Sequence, residues 1–351
     1  MRRAHFALQA AIILLAAGLF ALPVPPAVVE RYYAGRFYPA LQSNLTSWSN
    51  TTGMSLFDVL VGVVGLTLVI GWGRWLRRAW RTRSLQPVLW GVLTTMAAAS
   101  VMYVWFAAAW GLNYAREPID AAIGYDARRV TPAALRALAD RATGETNRLH
   151  AEAHRMGFPE IGDMPAPLVR ALHDVERRLG RPRPTTPGRP KRSLLGMFFR
   201  ASGVDGMHAP FLLETLLNPA LTPPERPAVL AHEWAHLAGY APEADASFVG
   251  LLAALRADPA AQYSAWLSLF DHAVGQLPAN EQRPFVARLE PGPSADRRAI
   301  AARLDDRVEV VARASWDTYD QYLKAQGVEE GVYSYSRVVE LLLASGALDW
   351  P

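Results

Sequence analysis

The chain has 351 residues, no cysteine and a formal charge of +4; 51% of its residues are hydrophobic and 19% are charged. That length allows one or two domains, and the lack of cysteine excludes both a disulfide framework and a Cys-ligated metal site. The basic surplus is smaller than the cluster Arg74, Arg77, Arg78, Arg81 and Arg83 in one short stretch, so it is a topology signal and no nucleic-acid partner is expected.

After Arg2 and Arg3, an apolar run extends from Phe6 to about Val29. It is long for a secretory leader, and more such runs follow, so it reads as a retained helix rather than a cleaved signal. Leu56–Trp72 and Leu85–Trp110 are the second and third runs. Each is long enough to cross ~30 Å of hydrocarbon. The sequence thus predicts a membrane domain over residues 1–114, with spans at about 6–29, 55–73 and 85–110. Trp72, Trp75, Trp90, Trp105 and Trp110 suit the interfaces, and the five-Arg loop belongs in the cytoplasm with residues 1–3. Three crossings place everything after Tyr114 outside the cytoplasm. Asp58, the single charged residue inside these runs, lies near a span end and reads as interfacial.

Beyond Glu117 the chain turns polar. Thr131 and Pro132 suit the N-cap and first position of a helix through Leu135, Leu138 and Ala142 towards Met156. Leu168–Leu179 has a second helical stripe. Arg181–Arg192 is rich in Pro and Arg, which excludes a helix or a central strand and suggests a solvated loop. Leu194–Arg200 and Met207–Leu213 read as short strands around the turn-rich Ser202–Gly206. His208 lies there, either touching the site described next or simply at the surface. Helices are expected over about 243–256, 259–274, 296–326 and 333–345. The fold class is therefore mainly α with a small β-sheet, carried as an extracytoplasmic domain over 115–351.

The most informative stretch is His232-Glu233-Trp234-Ala235-His236. On a helix, residues four apart share a face, so His232 and His236 can offer two imidazoles to one metal ion. Glu233 projects from nearly the same side, as a general base for water would. Pro223 and Pro224 suit the start of this helix and Gly239 its end. Pro242 can open a second helix with Glu243 in its first turn, and a carboxylate there could complete the ligand set. A bland alternative has His232 and His236 as packed helix residues, with Glu243 and Asp245 merely favouring a helix N-terminus.

Several blocks together resemble a bacterial multi-span membrane family of unknown function that carries a zincin-like H-E-x-x-H domain. They are Trp110–Tyr114, Gly206–Phe211, His232–Ala241, Glu243–Phe248, Tyr322–Gly327 and Gly331–Val339. The resemblance implies a protein of the bacterial inner membrane with an extracytoplasmic metallopeptidase domain, and it supplies no substrate. The segment from Glu243 is also similar to the E-x-x-A-[DN] element of gluzincin peptidases. That similarity makes Glu243 the third ligand, with Asp245 as the fallback, and leaves Ser247 where Asp or Asn is usual, which weakens support for a ligand His.

The expected function is zinc-dependent peptide hydrolysis at the membrane, with the lipid bilayer and a peptide or protein substrate as partners. His232, His236 and Glu243 hold Zn2+, and Glu233 is the general base. Tyr335 and Arg337 are candidate donors to the developing oxyanion. The His2Glu set favours zinc over manganese or cobalt. The alternative is an inactive membrane scaffold or binding protein with a vestigial metal site.

Overall fold

The computed structural model describes residues 2–22, 24–181, 183–326 and 337–350, with the backbone alone at 2–4. Among these residues, three helices make up the apolar part. They are α1 (Arg2–Ala21), α4 (Leu56–Thr82) and α5 (Gln86–Ala109). Ser55 starts α4 by accepting from the Asp58 N–H, and Arg83, in the left-handed region, ends it. α4 and α5 are both long and apolar enough to cross a membrane. α1 lies along α5: Gln9 donates to Thr94 Oγ1 at 3.3 Å, and the Phe20 and Tyr103 rings are 6.1 Å apart. Because both sequence numbers rise together in these two contacts, α1 runs parallel to α5. The arginine-rich end of α4 and the start of α1 therefore share one end of the bundle.

The first apolar run is not one straight span to residue 29. α1 stops at Ala21, and the chain bends by 113° into a helical stretch over Pro26–Ser49. That stretch comprises α2 (Pro26–Val28), a π-helical segment Val29–Phe37 and α3 (Tyr38–Ser49). The cause is local: Pro26 pushes Pro25 to an extended backbone (φ −58, ψ 132), which no helix can continue through. A third crossing exists only if the bent pair counts as one span. Residues 26–49 instead join the body of the fold. Tyr38, Gln42, Thr46 and Ser49 are buried, and Tyr38 donates its hydroxyl to Leu237 O at 2.9 Å.

The body continues through α6 (Asp120–Ile123), α7 (Pro132–Met156), α8 (Ala166–Arg178), β1 (Pro190–Lys191), α9 (Gly196–Ser202), β2 (Gly206–Ala209) and β3 (Glu214–Leu217). Then follow α10 (Arg226–Leu237), α11 (Glu243–Leu255), α12 (Pro259–Gly275), α13 (Ala279–Ala287), α14 (Pro291–Asp305), α15 (Glu309–Ala325) and α16 (Arg337–Ser345). Thr131 caps α7 as the sequence predicts. The sheet order is β1-β3-β2. β1 pairs parallel with β3, Pro190 opposite Thr215. β2 pairs antiparallel with β3, His208 opposite Thr215. β2 is therefore an edge strand. The core sits around α10, α11 and α12, where Trp234, Phe248, Tyr263 and Phe270 are fully enclosed. Burying a side chain of this size contributes roughly 1.5–3 kcal/mol.

Three expectations need correction. Leu194–Arg200 is not a strand. Leu195 packs on the core while Phe199 and Ser202 are buried, a helical spacing that one inward face of α9 explains. The run over 296–326 is two helices, broken between Asp305 and Glu309. The Arg181–Arg192 stretch avoids helix and central strand but is not a solvated loop, because Lys191 is buried against Glu214 at 2.5 Å. Glu214 also accepts from Ser49 Oγ at 2.9 Å and from the N–H groups of Leu56 and Phe57 at 3.1 and 2.7 Å. One carboxylate thus ties the sheet to the first turn of α4.

Candidate metal centre

Thr222 and Glu225 form a capping box on the 3-10 turn Pro223–Glu225 that leads into α10, which satisfies free N–H groups at the start of that turn. At the other end, Gly239 takes φ 84, a conformation that favours glycine. Its N–H donates to His236 O at 2.7 Å, and Tyr240 N–H donates to Ala235 O at 3.2 Å. This tight turn starts α11 at Glu243 immediately beyond Pro242. α11 then crosses α10 closely at Gly250, where a Cβ would lie 2.7 Å from His232 N and 2.8 Å from His232 Cα. Turn and crossing together deliver Glu243 to the two histidines.

The histidine and carboxylate atoms converge. Glu243 Oε2 is 3.2 Å from His232 Nε2 and 3.4 Å from His236 Nε2, yet it has no partner in hydrogen-bond geometry. Two ligands on a tetrahedral ion with bonds of 2.0–2.1 Å stand about 3.3 Å apart. The far sides of the rings are held. His236 Nδ1 lies 2.9 Å from Tyr240 O; a carbonyl only accepts, so Nδ1 carries the hydrogen. His232 Nδ1 lies 3.2 Å from Ser247 Oγ. The Tyr319 hydroxyl donates to Glu243 Oε1. These supports fix ring and carboxylate orientation, so the residues present fit a metal ion.

The electrostatics ask for a cation. Burial would raise the Glu243 carboxyl, but His236 and His232 outweigh it and hold it well below the usual carboxylate range. Burial would lower His236, but Glu243 and Glu233 outweigh it and raise it to about 9; without a metal, a proton occupies this place. Glu233 is buried, and burial pushes it up to about 6 despite His232 and His236. Its Oε2 has no partner. A Cβ at Gly206 would lie 2.6 Å from Glu233 Oε1, so the strand passes close by only because it is glycine there.

A cavity of about 690 Å³ opens over these groups, with Gly206, Met207 and His208 of β2 on its wall. His208 is not a surface residue. It is buried, neither ring nitrogen has a partner, and Trp110 lies against it at 4.2 Å. Burial, helped by His236, holds it well below its ordinary value. Tyr319 and Tyr322 of α15 stack at 5.9 Å and line the same cavity with Trp110 and Tyr114. Tyr319 carries no motif, and Trp110 stands in a resemblance block without an assigned role; their part in the site comes from α15 and the end of α5 meeting at the cavity.

The other candidates lie elsewhere. Asp245 is buried, and burial raises it to about 7, with Arg337 opposing and Asp120 supporting the rise; it is not in the group that could hold a metal. Arg337 pairs with both oxygens of Asp120 at 2.8 and 2.7 Å and does not line the cavity. Tyr335 falls outside the described residues. A second group, His150, His154 and Asp296, could also hold a metal. There His154 Nε2 lies 2.8 Å from Asp296 Oδ2, which also accepts from Tyr263. His150 Nε2 stands 3.6 Å from the same Asp296 oxygen.

Fold and site define a mainly helical protein with a small sheet, two or three helices able to cross a membrane, and a His2Glu group able to hold a metal. Residues 33–343 match the family described as "protein of unknown function (DUF3810)", and the chain belongs to that family. No curated protein and no solved structure matches it.

Proposed function

We propose that this protein is a membrane-anchored zinc-dependent peptidase. The observation that carries the reading is the convergence of His232, His236 and Glu243 beside an unpartnered, buried Glu233 carboxylate. A purely structural ion has no use for that last group. His232, His236 and Glu243 would hold the zinc. When bound, zinc supplies Lewis acidity, bringing the pKa of coordinated water towards ~7. Glu233 Oε2 takes a proton from the attacking water, and the water oxygen bonds to the peptide carbonyl carbon. The C–N bond then breaks, and Glu233 returns the proton to the leaving amine. His208, whose two buried ring nitrogens have no partner, stands beside the cavity as the donor to the developing oxyanion. The open edge of β2 aligns an extended substrate by strand addition.

α4 and α5 cross the bacterial inner membrane with Arg74–Arg83 and the start of α1 in the cytoplasm. The cavity then faces the extracytoplasmic side. The test is the metal content of the purified full chain, wild type beside His232→Ala, followed by peptide hydrolysis. About one zinc per chain, lost in the variant, is expected. Glu233→Gln should keep the metal and lose at least about 100-fold in turnover. A chain that takes up no metal when zinc is offered refutes the reading.

One observation favours a scaffold with a vestigial site: Ser247, rather than a carboxylate, meets His232 Nδ1. Full metal loading without hydrolysis of any peptide would select it.

A further inference from the structure

The metal group and its cavity leave one feature of α9 unexplained. Phe199 and Ser202 face inward, while Leu194 and Met197 are 87% and 86% exposed and Phe198 is 43% exposed. This outward apolar cluster is fastened to the start of α4. Asp58 Oδ1 accepts from Ser193 Oγ at 2.6 Å, and Oδ2 accepts from Leu194 N–H at 2.8 Å. Phe57 and Leu195 pack on the same small core around Phe199.

That fastening sets a depth. The next charged residue of α4 after Asp58 is Arg74, 16 positions on, which is about 24 Å of helix. Hydrocarbon is ~30 Å thick. Even with Arg74 reaching out to the far headgroups and the far edge at Arg77, about 29 Å from Asp58, no slack remains. The near edge must come up to the first turn of α4. Leu194, hydrogen-bonded to Asp58, then lies at that edge, with Met197 and Phe198 one turn along.

We propose that Leu194, Met197 and Phe198 form a rim that inserts into the surface of the bilayer crossed by α4. A lipid surface, not a second protein, is the occupant because the rim is continuous with the apolar span at the same depth. Phe198 and Phe199 also line the cavity, so the rim holds the cavity mouth at the membrane surface, where substrate arrives along the bilayer. The inference rests on α4 being a span and stands whether or not the site hydrolyses peptides.

The chain has no cysteine, so single probes are direct. Full-length Met197→Cys and Val69→Cys, the latter an exposed position on α4, are each labelled with an environment-sensitive fluorophore. Both are reconstituted in vesicles of phosphatidylcholine and phosphatidylglycerol, with or without lipid carrying a nitroxide near the headgroup end of its acyl chain for residue 197, or near the methyl end for residue 69, which lies about 16 Å along α4 from Asp58 and so close to mid-bilayer. Loss of most of the fluorescence at 197 on adding the nitroxide lipid is the expected result. No loss at 197 while 69 is quenched overturns the rim. No loss at 69 overturns the span and the rim with it. A blue-shifted 197 signal that persists in detergent and depends on protein concentration assigns the face to a second copy, and also overturns the proposal.

Discussion

Lys191→Met should loosen the joint between the sheet and α4. Lys191 Nζ lies 2.5 Å from Glu214 Oε1, with side chains 1% and 0% exposed. At that separation and an effective dielectric near 20, the gross attraction is about 6–7 kcal/mol. The ammonium also donates to Ser49 O and Oγ at 2.8 Å each. The variant leaves Glu214 charged and enclosed, though Ser49 and the Leu56 and Phe57 N–H groups still donate to it. Those remaining donors recover part of the loss, so the net cost is about 3–5 kcal/mol, the range for breaking a buried pair. In a unit of this size that lowers Tm by roughly 6 °C or more. The assay is thermal unfolding of the full chain in detergent, followed by tryptophan fluorescence. Lys191→Met/Glu214→Gln removes both charges and should recover much of the deficit. A single variant within ~2 °C of wild type, less than ~1 kcal/mol by the same scaling, refutes the reasoning.

Further outcomes follow from the proposed metal site. Gly250→Ala drives a Cβ into the His232 backbone, which cannot move aside as a side-chain tip would. It should cost about 1–3 kcal/mol and weaken zinc binding in a competition titration; unchanged affinity would mean the helix crossing does not set the site. Tyr319→Phe removes the donor to Glu243 Oε1 and should weaken metal binding about 10–100-fold; equal affinity would remove Tyr319 from the site. His208→Ala should leave zinc content unchanged and lower peptide turnover about 100-fold; turnover equal to wild type would show that another group meets the oxyanion.

Some of this was legible in the chain, for physical reasons. The runs that became α4 and α5 announce themselves because lipid demands an unbroken apolar length. The i,i+4 histidines of α10 are legible because helical geometry is local. The proline cluster near residue 25 carries the signal for the end of α1, but apolarity over 6–29 masks it. The strand reading of Leu194–Arg200 failed because a short apolar segment fits either period.

What the sequence determined by itself was therefore local: which helices are apolar enough for a bilayer, and that His232, Glu233 and His236 share one face. Only tertiary structure decided the rest. It brought Glu243, but not Asp245, to the histidines, because the Gly239 turn and the Gly250 crossing fix one register between α10 and α11. It buried His208 beside Trp110, enclosed Lys191 against Glu214, and turned Arg337 to Asp120. Each of these depends on groups distant in sequence meeting in space, and a linear pattern does not record such meetings.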